Sequence, residues 1–284
     1  MRISVVIPVL NEEKRLPECL KALNNNREKP YEIIVADGGS TDSTKEIASA
    51  YGCVVLDNPK GHAAGGRNVG IKKAKGDIIA FTDGDCIPDR LWLENIRKAF
   101  EAEKLDGLGG CVIPAESSNK YEEFWGRVSL QQIMSFGKEP YLIKEKNLND
   151  AFITANCAYR RNVLIRLRGF SNWFGNNAED VDLAWRALDS GARLKYEPSV
   201  RVIAHSPESL KGICRKSFRN GYSSSKLQKK YGKRVNYDIT LYKLLFSKMK
   251  HILREEEARW MVAELCCHLL GKYYGSLKVH IINV

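Results

Sequence analysis

The 284-residue sequence lacks the features of a membrane-spanning, secreted or zinc-stabilised protein. It has no uninterrupted apolar run of about 18 residues, so no segment is suited to crossing a bilayer. Its N-terminus passes from Met1-Arg2 directly into a β-type run, without the layout of a signal peptide. Its eight cysteines show no Cys-x-x-Cys spacing, which argues against structural zinc and favours reduced, buried thiols. These absences predict a cytoplasmic protein.

Acidic residues are scarce in one segment. Between Arg201 and Arg234 there are ten Lys and Arg residues against one acid, Glu208, whereas the rest of the chain holds 35 basic and 33 acidic residues. The segment therefore carries +9 of the net charge of +11. A solvated helix face is one explanation. The one-sided charge favours an anionic partner, such as a phosphate group, a lipid headgroup or nucleic acid.

Short β-branched runs alternate with helical stretches through the first 113 residues. This order predicts an α/β fold, a doubly wound, mostly parallel, Rossmann-like sheet. Ligands bind such sheets beyond the carboxyl ends of the strands. Later in the chain, 193–196 and 201–204 are predicted to form paired strands. Apolar positions on a helical period between Leu241 and Lys278 predict a helical C-terminal extension, which either packs on the domain or lies on a membrane.

Asp83-Gly84-Asp85 follows the predicted strand 77–82. In an extended chain, residues i and i+2 project to the same side, so both carboxylates can converge on one cation. Gly84 between them permits close approach to the backbone. Oxygen ligands of this kind suit Mg²⁺ or Mn²⁺. An Asp/Gly turn with solvated carboxylates is the alternative.

Polar residues also follow other predicted strands or open a helix. Pro8–Glu12 follows the first strand, and Asp37 opens a Gly/Ser/Thr/Asp loop after the second. Gly66 and Arg67 lie in a glycine-rich segment that leads into a helix. Glu179-Asp180 begins a helix, where acids also complement the helix dipole for purely structural reasons.

These motifs, in this order, resemble those of the inverting glycosyltransferases of family 2, which have the GT-A fold. The resemblance covers about residues 1–235 and excludes the C-terminal extension. It implies a nucleoside pocket, with Asp37 accepting a hydrogen bond from the base and Gly38-Gly39 permitting close approach of the backbone. It also implies that Gly66 and Arg67 contact the ribose and diphosphate, the alternative for Arg67 being a surface residue of its helix. The implied pocket residues before Asp37 are Pro8, Val9, Asn11 and Glu12.

In the same resemblance, Asp85 ligates Mn²⁺ or Mg²⁺ and Asp83 is shared between metal and ribose. Asp180 corresponds to the general base that deprotonates the acceptor hydroxyl, with Glu179 as the second candidate. A late histidine completes the metal shell in several GT-A enzymes, which makes His205 a third candidate ligand. Arg215 and Arg219 could bind the diphosphate or an anionic acceptor. The Gln-x-x-Arg-Trp motif of the processive synthases is absent here.

The sequence thus predicts three regions: a donor-binding half over 1–110, an acceptor-binding and catalytic half over 111–235, and an amphipathic extension over 236–284. The predicted activity is metal-dependent, inverting transfer of a sugar from a nucleotide donor, with UDP favoured over GDP-mannose. The predicted acceptor is a sugar, a lipid phosphate or a lipid-linked glycan. The predicted location is the cytoplasm, with peripheral contact at the inner face of the cell membrane as the alternative. The alternatives are a nucleotidyltransferase and a non-catalytic protein that binds nucleotide sugars or nucleic acid.

Overall fold

The computed structural model describes residues 1–135, 137–146, 152–232 and 255–279, with the side chains of 129–135 and 255 excluded. The first predicted helix of the extension, around 244–253, lies outside these residues. The chain forms two compact units: Met1–Ala115 with Ser129–His205, and Glu116–Val128 with Ser206–Val284. The three-part division predicted from the sequence stays a prediction.

The first unit is built on a nine-stranded mixed sheet. Eight strands follow the order β3-β2-β1-β4-β8-β6-β9-β5, and β7 pairs with β9. Strands β3, β2, β1 and β4 are parallel, which confirms the predicted α/β class. The strands are β1 Ile3–Val9, β2 Glu32–Asp37, β3 Val54–Asp57, β4 Ile78–Phe81, β5 Cys86–Pro88, β6 Gly107–Pro114, β7 Tyr141–Ile143, β8 Cys157–Arg160 and β9 Leu194–Ala204.

Helices cover both faces of this sheet, because side chains alternate along each strand. Ile3, Val5, Ile7 and Val9 of β1 join one apolar cluster, and Val6 joins the other. The first cluster contains α1 and α4, and the second contains α3 and α7. The helices of this unit are α1 Leu16–Asn24, α2 Thr44–Ala50, α3 Ala63–Lys73, α4 Trp92–Ala102, α6 Arg161–Arg166 and α7 Glu179–Asp189, and α5 Lys120–Ser135 spans the boundary between the units.

The predicted pair of strands at 193–196 and 201–204 is wrong, because these residues form the single strand β9. Its parallel partner β6 pairs with Glu197 through Gly110 and then with Arg201 through Cys111, so three residues of β9 bulge out of the ladder. Pro198 lies in this bulge, where its missing N–H costs no ladder hydrogen bond.

The second unit is helical and has its own core. Its helices are α8, Leu210–Tyr231, and α9, Glu255–Lys278. Phe124, Trp125, Ile213, Trp260 and Met261 form an apolar cluster separate from those of the sheet. None of the described helices combines the length and apolarity needed to cross a bilayer.

Candidate active site

The sheet order brings three predicted loops to one edge. Strand β1 lies between β2 and β4, and parallel strands end at the same edge. The segments at these strand ends are Pro8–Glu12, Asp37–Thr41 and Asp83–Asp85. The edge therefore collects the predicted nucleoside and metal residues.

The loops after β1 and β2 are joined by local hydrogen bonds. The Gly38 N–H donates to the Val9 carbonyl (2.8 Å). Asn11, which has a left-handed backbone (φ 56°), accepts at Oδ1 from the Thr41 N–H (2.9 Å). The Glu12 N–H donates to Thr44 Oγ1 (2.8 Å). These bonds fix the edge that the resemblance assigns to the nucleoside.

Asp37 is buried at the end of β2 and remains ionised. Its Oδ2 accepts from the N–H groups of Gly39 and Ser40, each at 3.0 Å, and lies 3.4 Å from Lys45 Nζ. Burial raises the pKa of Asp37, but the bonds from Ser40 and Gly39 and the charge of Lys45 outweigh it, so the pKa is lowered. The hydrogen bond from Asp37 to a base stays a prediction.

Gly66 and Arg67 lie at the start of α3. An ideal Cβ on Gly66 would lie 3.1 Å from Pro8 Cβ, so glycine lets this helix pack against the end of β1. Arg67 is only 2% exposed, which excludes the surface alternative. Its Nη2 donates to Asp83 Oδ1 and its Nη1 to Glu179 Oε1, both at 2.7 Å. One buried guanidinium therefore links the Asp-Gly-Asp motif to the Glu-Asp pair.

Asp83, Asp85 and Cys86 place their candidate ligand atoms within 4.8 Å of one another. Cys86 is a poor ligand for a hard cation, because burial and then the charges of Asp85 and Asp83 raise the pKa of its thiol well above the usual value. An ideal Cβ on Gly84 would lie 3.1 Å from Val9 Cγ1 and 3.3 Å from Glu12 Cγ. Glycine between the acids therefore brings Glu12 against the motif.

Glu12 supplies a test of whether a cation fits. Burial, followed by repulsion from Asp85 and Asp83, raises the pKa of Glu12 to about 7. Three carboxyl groups share a partly buried space, and a divalent cation would relieve their repulsion. The oxygen donors also suit Mn²⁺ or Mg²⁺. The residues fit a cation.

His205 follows β9 and lies beside the motif. Its N–H donates to the Asp85 carbonyl (3.3 Å). Its ring Nε2 lies 3.1 Å from Glu18 Oε2 and 3.5 Å from Arg15 Nη1, both contributed by the segment around α1. Ligation by His205 stays a prediction.

The Glu179-Asp180 pair begins α7 after Ala178, whose backbone is left-handed (φ 67°). The Glu179 side chain is 3% exposed. Burial and the neighbouring Asp180 raise the pKa of Glu179 to about 7, against the opposing effect of Arg67. Asp180 is half-buried and accepts from the N–H groups of Val181 (2.8 Å) and Thr154. Burial nevertheless raises the pKa of Asp180.

The model for the family described as "Glycosyl transferase family 2" matches residues 4–168. The chain belongs to glycosyl transferase family 2. The match includes Asp37, Arg67 and the Asp-Gly-Asp motif and ends before the Glu-Asp pair. Family membership confirms the predicted enzyme class over nucleotidyl transfer and non-catalytic binding.

Two curated relatives are similar over most of this family 2 glycosyltransferase. It is 29% identical to glycosyltransferase AglE of Haloferax volcanii over 232 residues, covering 77% of this chain and 71% of AglE. It is 30% identical to the pre-mycofactocin glycosyltransferase of Mycobacterium tuberculosis, covering 77% of this chain but only 46% of that relative. The chain thus spans less than half of this second relative.

Two solved structures share the fold of the family 2 chain. The mannosyltransferase PcManGT from Pyrobaculum calidifontis, in complex with GDP-Man and Mn²⁺, has a TM-score of 0.67 at 16% identity, covering 98% of this chain and 87% of PcManGT. Glucosyl-3-phosphoglycerate synthase from M. tuberculosis, in complex with Mn²⁺, UDP and glucosyl-3-phosphoglycerate, has a TM-score of 0.59 at 20% identity, covering 81% of this chain and 80% of that chain. At such identities these likenesses establish the GT-A fold alone.

Arg215 and Arg219 of the glycosyltransferase lie exposed on α8 in the second unit, and their predicted contacts with diphosphate or acceptor stay predictions. No sequence pattern indicates Thr154, whose N–H donates to Asp180, or Lys45, which faces Asp37. The loop that precedes the acid pair also contacts α3. There, Asn176 Oδ1 accepts from the Ala63 N–H (2.7 Å) at the start of α3.

Proposed function

We propose that this glycosyltransferase moves a sugar, with inversion, from a nucleotide donor bound at the sheet edge to an acceptor hydroxyl or phosphate. The observation that carries the proposal is the Arg67 bridge between Asp83 and Glu179. It places the acids proposed to hold the donor's metal one guanidinium away from the acids proposed to activate the acceptor.

Asp83 and Asp85 would hold Mn²⁺ or Mg²⁺, with His205 as a further candidate. Such a cation would supply Lewis-acid stabilisation of the leaving nucleoside diphosphate. The cluster supports this assignment, because burial, followed by repulsion from Asp85 and Asp83, raises the pKa of Glu12 to about 7.

Asp180 is our choice of general base. A base must reach the acceptor oxygen, and the Asp180 side chain is half-buried whereas Glu179 is buried and held by Arg67. Burial raises the pKa of Asp180, which makes its carboxylate a stronger proton acceptor. The proton passes from the acceptor hydroxyl to an Asp180 carboxylate oxygen as the acceptor oxygen attacks the anomeric carbon. A single displacement inverts that centre.

The donor base would lie near Asp37, where Pro8, Val9, Asn11 and Gly39 form the surrounding loops. A carboxylate accepts equally well from the ring N–H of uracil or of guanine, so Asp37 alone does not select the base. UDP is the first nucleotide we would test and GDP the second. One structural neighbour is in complex with UDP and Mn²⁺, and the other with GDP-Man and Mn²⁺. The basic segment between Arg201 and Arg234 favours a lipid phosphate or a lipid-linked glycan as the acceptor.

Calorimetric titration of UDP and GDP, each with and without Mn²⁺, tests the donor site. We expect one nucleotide to bind wild type only with the metal, and Asp85→Ala to abolish that metal dependence. Asp189→Ala removes an exposed acid at the far end of α7 and should bind like wild type. Equal binding by Asp85→Ala and wild type would contradict the proposed metal site.

A further inference from the structure

Helices α8 and α9 run side by side in the same direction and approach closely. An ideal Cβ on Gly221 would lie 2.0 Å from the carbonyl oxygen of His268. One turn further along both helices, the Ser225 hydroxyl donates to the Lys272 carbonyl (2.7 Å). These contacts lie along one side of each helix. The opposite side of each helix therefore faces away from its neighbour.

Helix α9 carries exposed apolar side chains along its outer side. Tyr273 is 67% exposed and Leu270 is 60% exposed. Single exposed apolar residues are ordinary, but this row continues for about 22 Å of helix. Between its ends the sequence contains two charged residues, of which Glu264 is buried. The row, called here the apolar face, consists of Val262, Leu269, Leu270, Tyr273 and Leu277.

A basic row on α8 borders the apolar face. Its members share one side of the helix, since they are spaced by four and eleven residues. On that side Tyr222 lies beside Tyr274 of α9, with ring centroids 6.0 Å apart. Lysines lie over both rings, Lys226 over Tyr222 at 4.6 Å and Lys278 over Tyr274 at 5.7 Å. The basic row consists of the exposed residues Arg215, Arg219 and Lys230.

The charge of α8 indicates what kind of partner would suit this face. The helix contains seven Lys and Arg residues and no acid, so its net charge is +7. A second copy seated on the same face would bring two such segments together. Nucleic acid would neutralise the basic row but leave the apolar face in water. An anionic bilayer matches both rows, since it offers phosphates above an apolar interior.

We propose that this face of the α8–α9 pair docks on an anionic lipid bilayer. The apolar face enters the boundary between headgroups and acyl chains, and the basic row contacts lipid phosphates. The tyrosines between them suit the interface, because one end of each ring is apolar and the other polar. The inference deepens the proposed function, on which it rests for the lipid-linked acceptor, but docking itself requires neither donor nor metal.

Vesicle flotation of the full chain tests the proposal, with phosphatidylcholine alone against an equal mixture of phosphatidylcholine and phosphatidylglycerol. Wild type should float only with the anionic vesicles, and less so as salt is raised. Leu270→Ser combined with Leu277→Ser should weaken binding by about tenfold or more. Ile165→Ser, which alters an exposed side chain of the other unit, should bind like wild type.

Three results would overturn the proposal. The first is absence of wild-type flotation, or equal flotation of the double variant when circular dichroism shows that it is folded. The second is a concentration-dependent dimer in sedimentation, lost in the double variant, without vesicle binding. The third is retardation of RNA at physiological salt without vesicle binding. Nucleotide titration on the same samples separates the two proposals, because the double variant should retain the donor affinity of wild type.

Discussion

Asp37 and Glu179 are both almost excluded from water, with side chains 0% and 3% exposed, yet their pKa values move in opposite directions. Backbone N–H groups of the adjacent loop hold Asp37 ionised. At Glu179, burial and then the neighbouring Asp180 raise the pKa to about 7. The partner that opposes this rise is Arg67, 112 residues away in the chain. Groups nearby in the chain thus stabilise the charge of Asp37, whereas a single distant side chain stabilises that of Glu179.

Arg67→Met should produce the largest effect, because it leaves Asp83 and Glu179 without their shared cation. We expect a loss of about 3–5 kcal/mol in the free energy of unfolding, measured by urea titration. Sugar transfer should fall by about 100-fold or more as the two acid motifs lose their common anchor. Arg97→Met removes a half-exposed arginine with two acidic partners and should cost about 1 kcal/mol or less.

A second substitution tests why Arg67→Met should lose stability. If repulsion at Glu179 causes the loss, Glu179→Gln in the Arg67→Met background should restore part of the stability. Simple addition of the two single losses would show that the arginine acts through packing instead.

Asp37→Asn should have the next largest effect, because the amide loses the charge and one of the two acceptor oxygens. We expect a loss of about 1–3 kcal/mol in stability and a weaker nucleotide titration. Asp57→Asn is a matched control, since Asp57 also pairs with Lys45 (3.0 Å) but its side chain is 85% exposed. Equal losses from the two variants would contradict the distinction between buried and exposed partners of Lys45.

The raised pKa of Glu179 predicts a dependence of stability on pH. Between the ordinary value of 4.5 and about 7, the folded state binds more protons at this site than the unfolded state. The free energy of unfolding should therefore decrease as pH rises through this window, by up to about 1.4 kcal/mol per pH unit. Urea titrations at several pH values in this window should show that the free energy of unfolding of Glu179→Gln changes less with pH than that of wild type. Glu101→Gln, at an exposed glutamate, should show the same dependence of unfolding free energy on pH as wild type.

The same contrast between local and distant partners separates the features that the sequence predicts from those that it does not. The parallel strands, the Asp37 loop and the Asp-Gly-Asp motif follow from short-range patterns, and the fold bears out the predicted strand ends. The resemblance assigns Arg67 to the site, but its bridge to Glu179 depends on how α3 and α7 pack on the same face of the sheet. The antiparallel pairing of β8 with β4 and β6 does not follow from the sequence either, because no local pattern specifies which strand pairs with which.

Ala178→Gly should produce the smallest effect and tests whether the acid pair is held by backbone strain. Ala178 adopts φ 67° directly before Glu179, a conformation that costs a residue with a Cβ about 1–2 kcal/mol. Glycine removes that cost but gains freedom in the unfolded chain, so we expect a net stabilisation of about 0.5–1 kcal/mol. Ala184→Gly, in the buried interior of α7, should instead destabilise by about 1 kcal/mol or more. A loss of stability in Ala178→Gly would mean that the Ala178 methyl group, and not its backbone, matters at the start of α7.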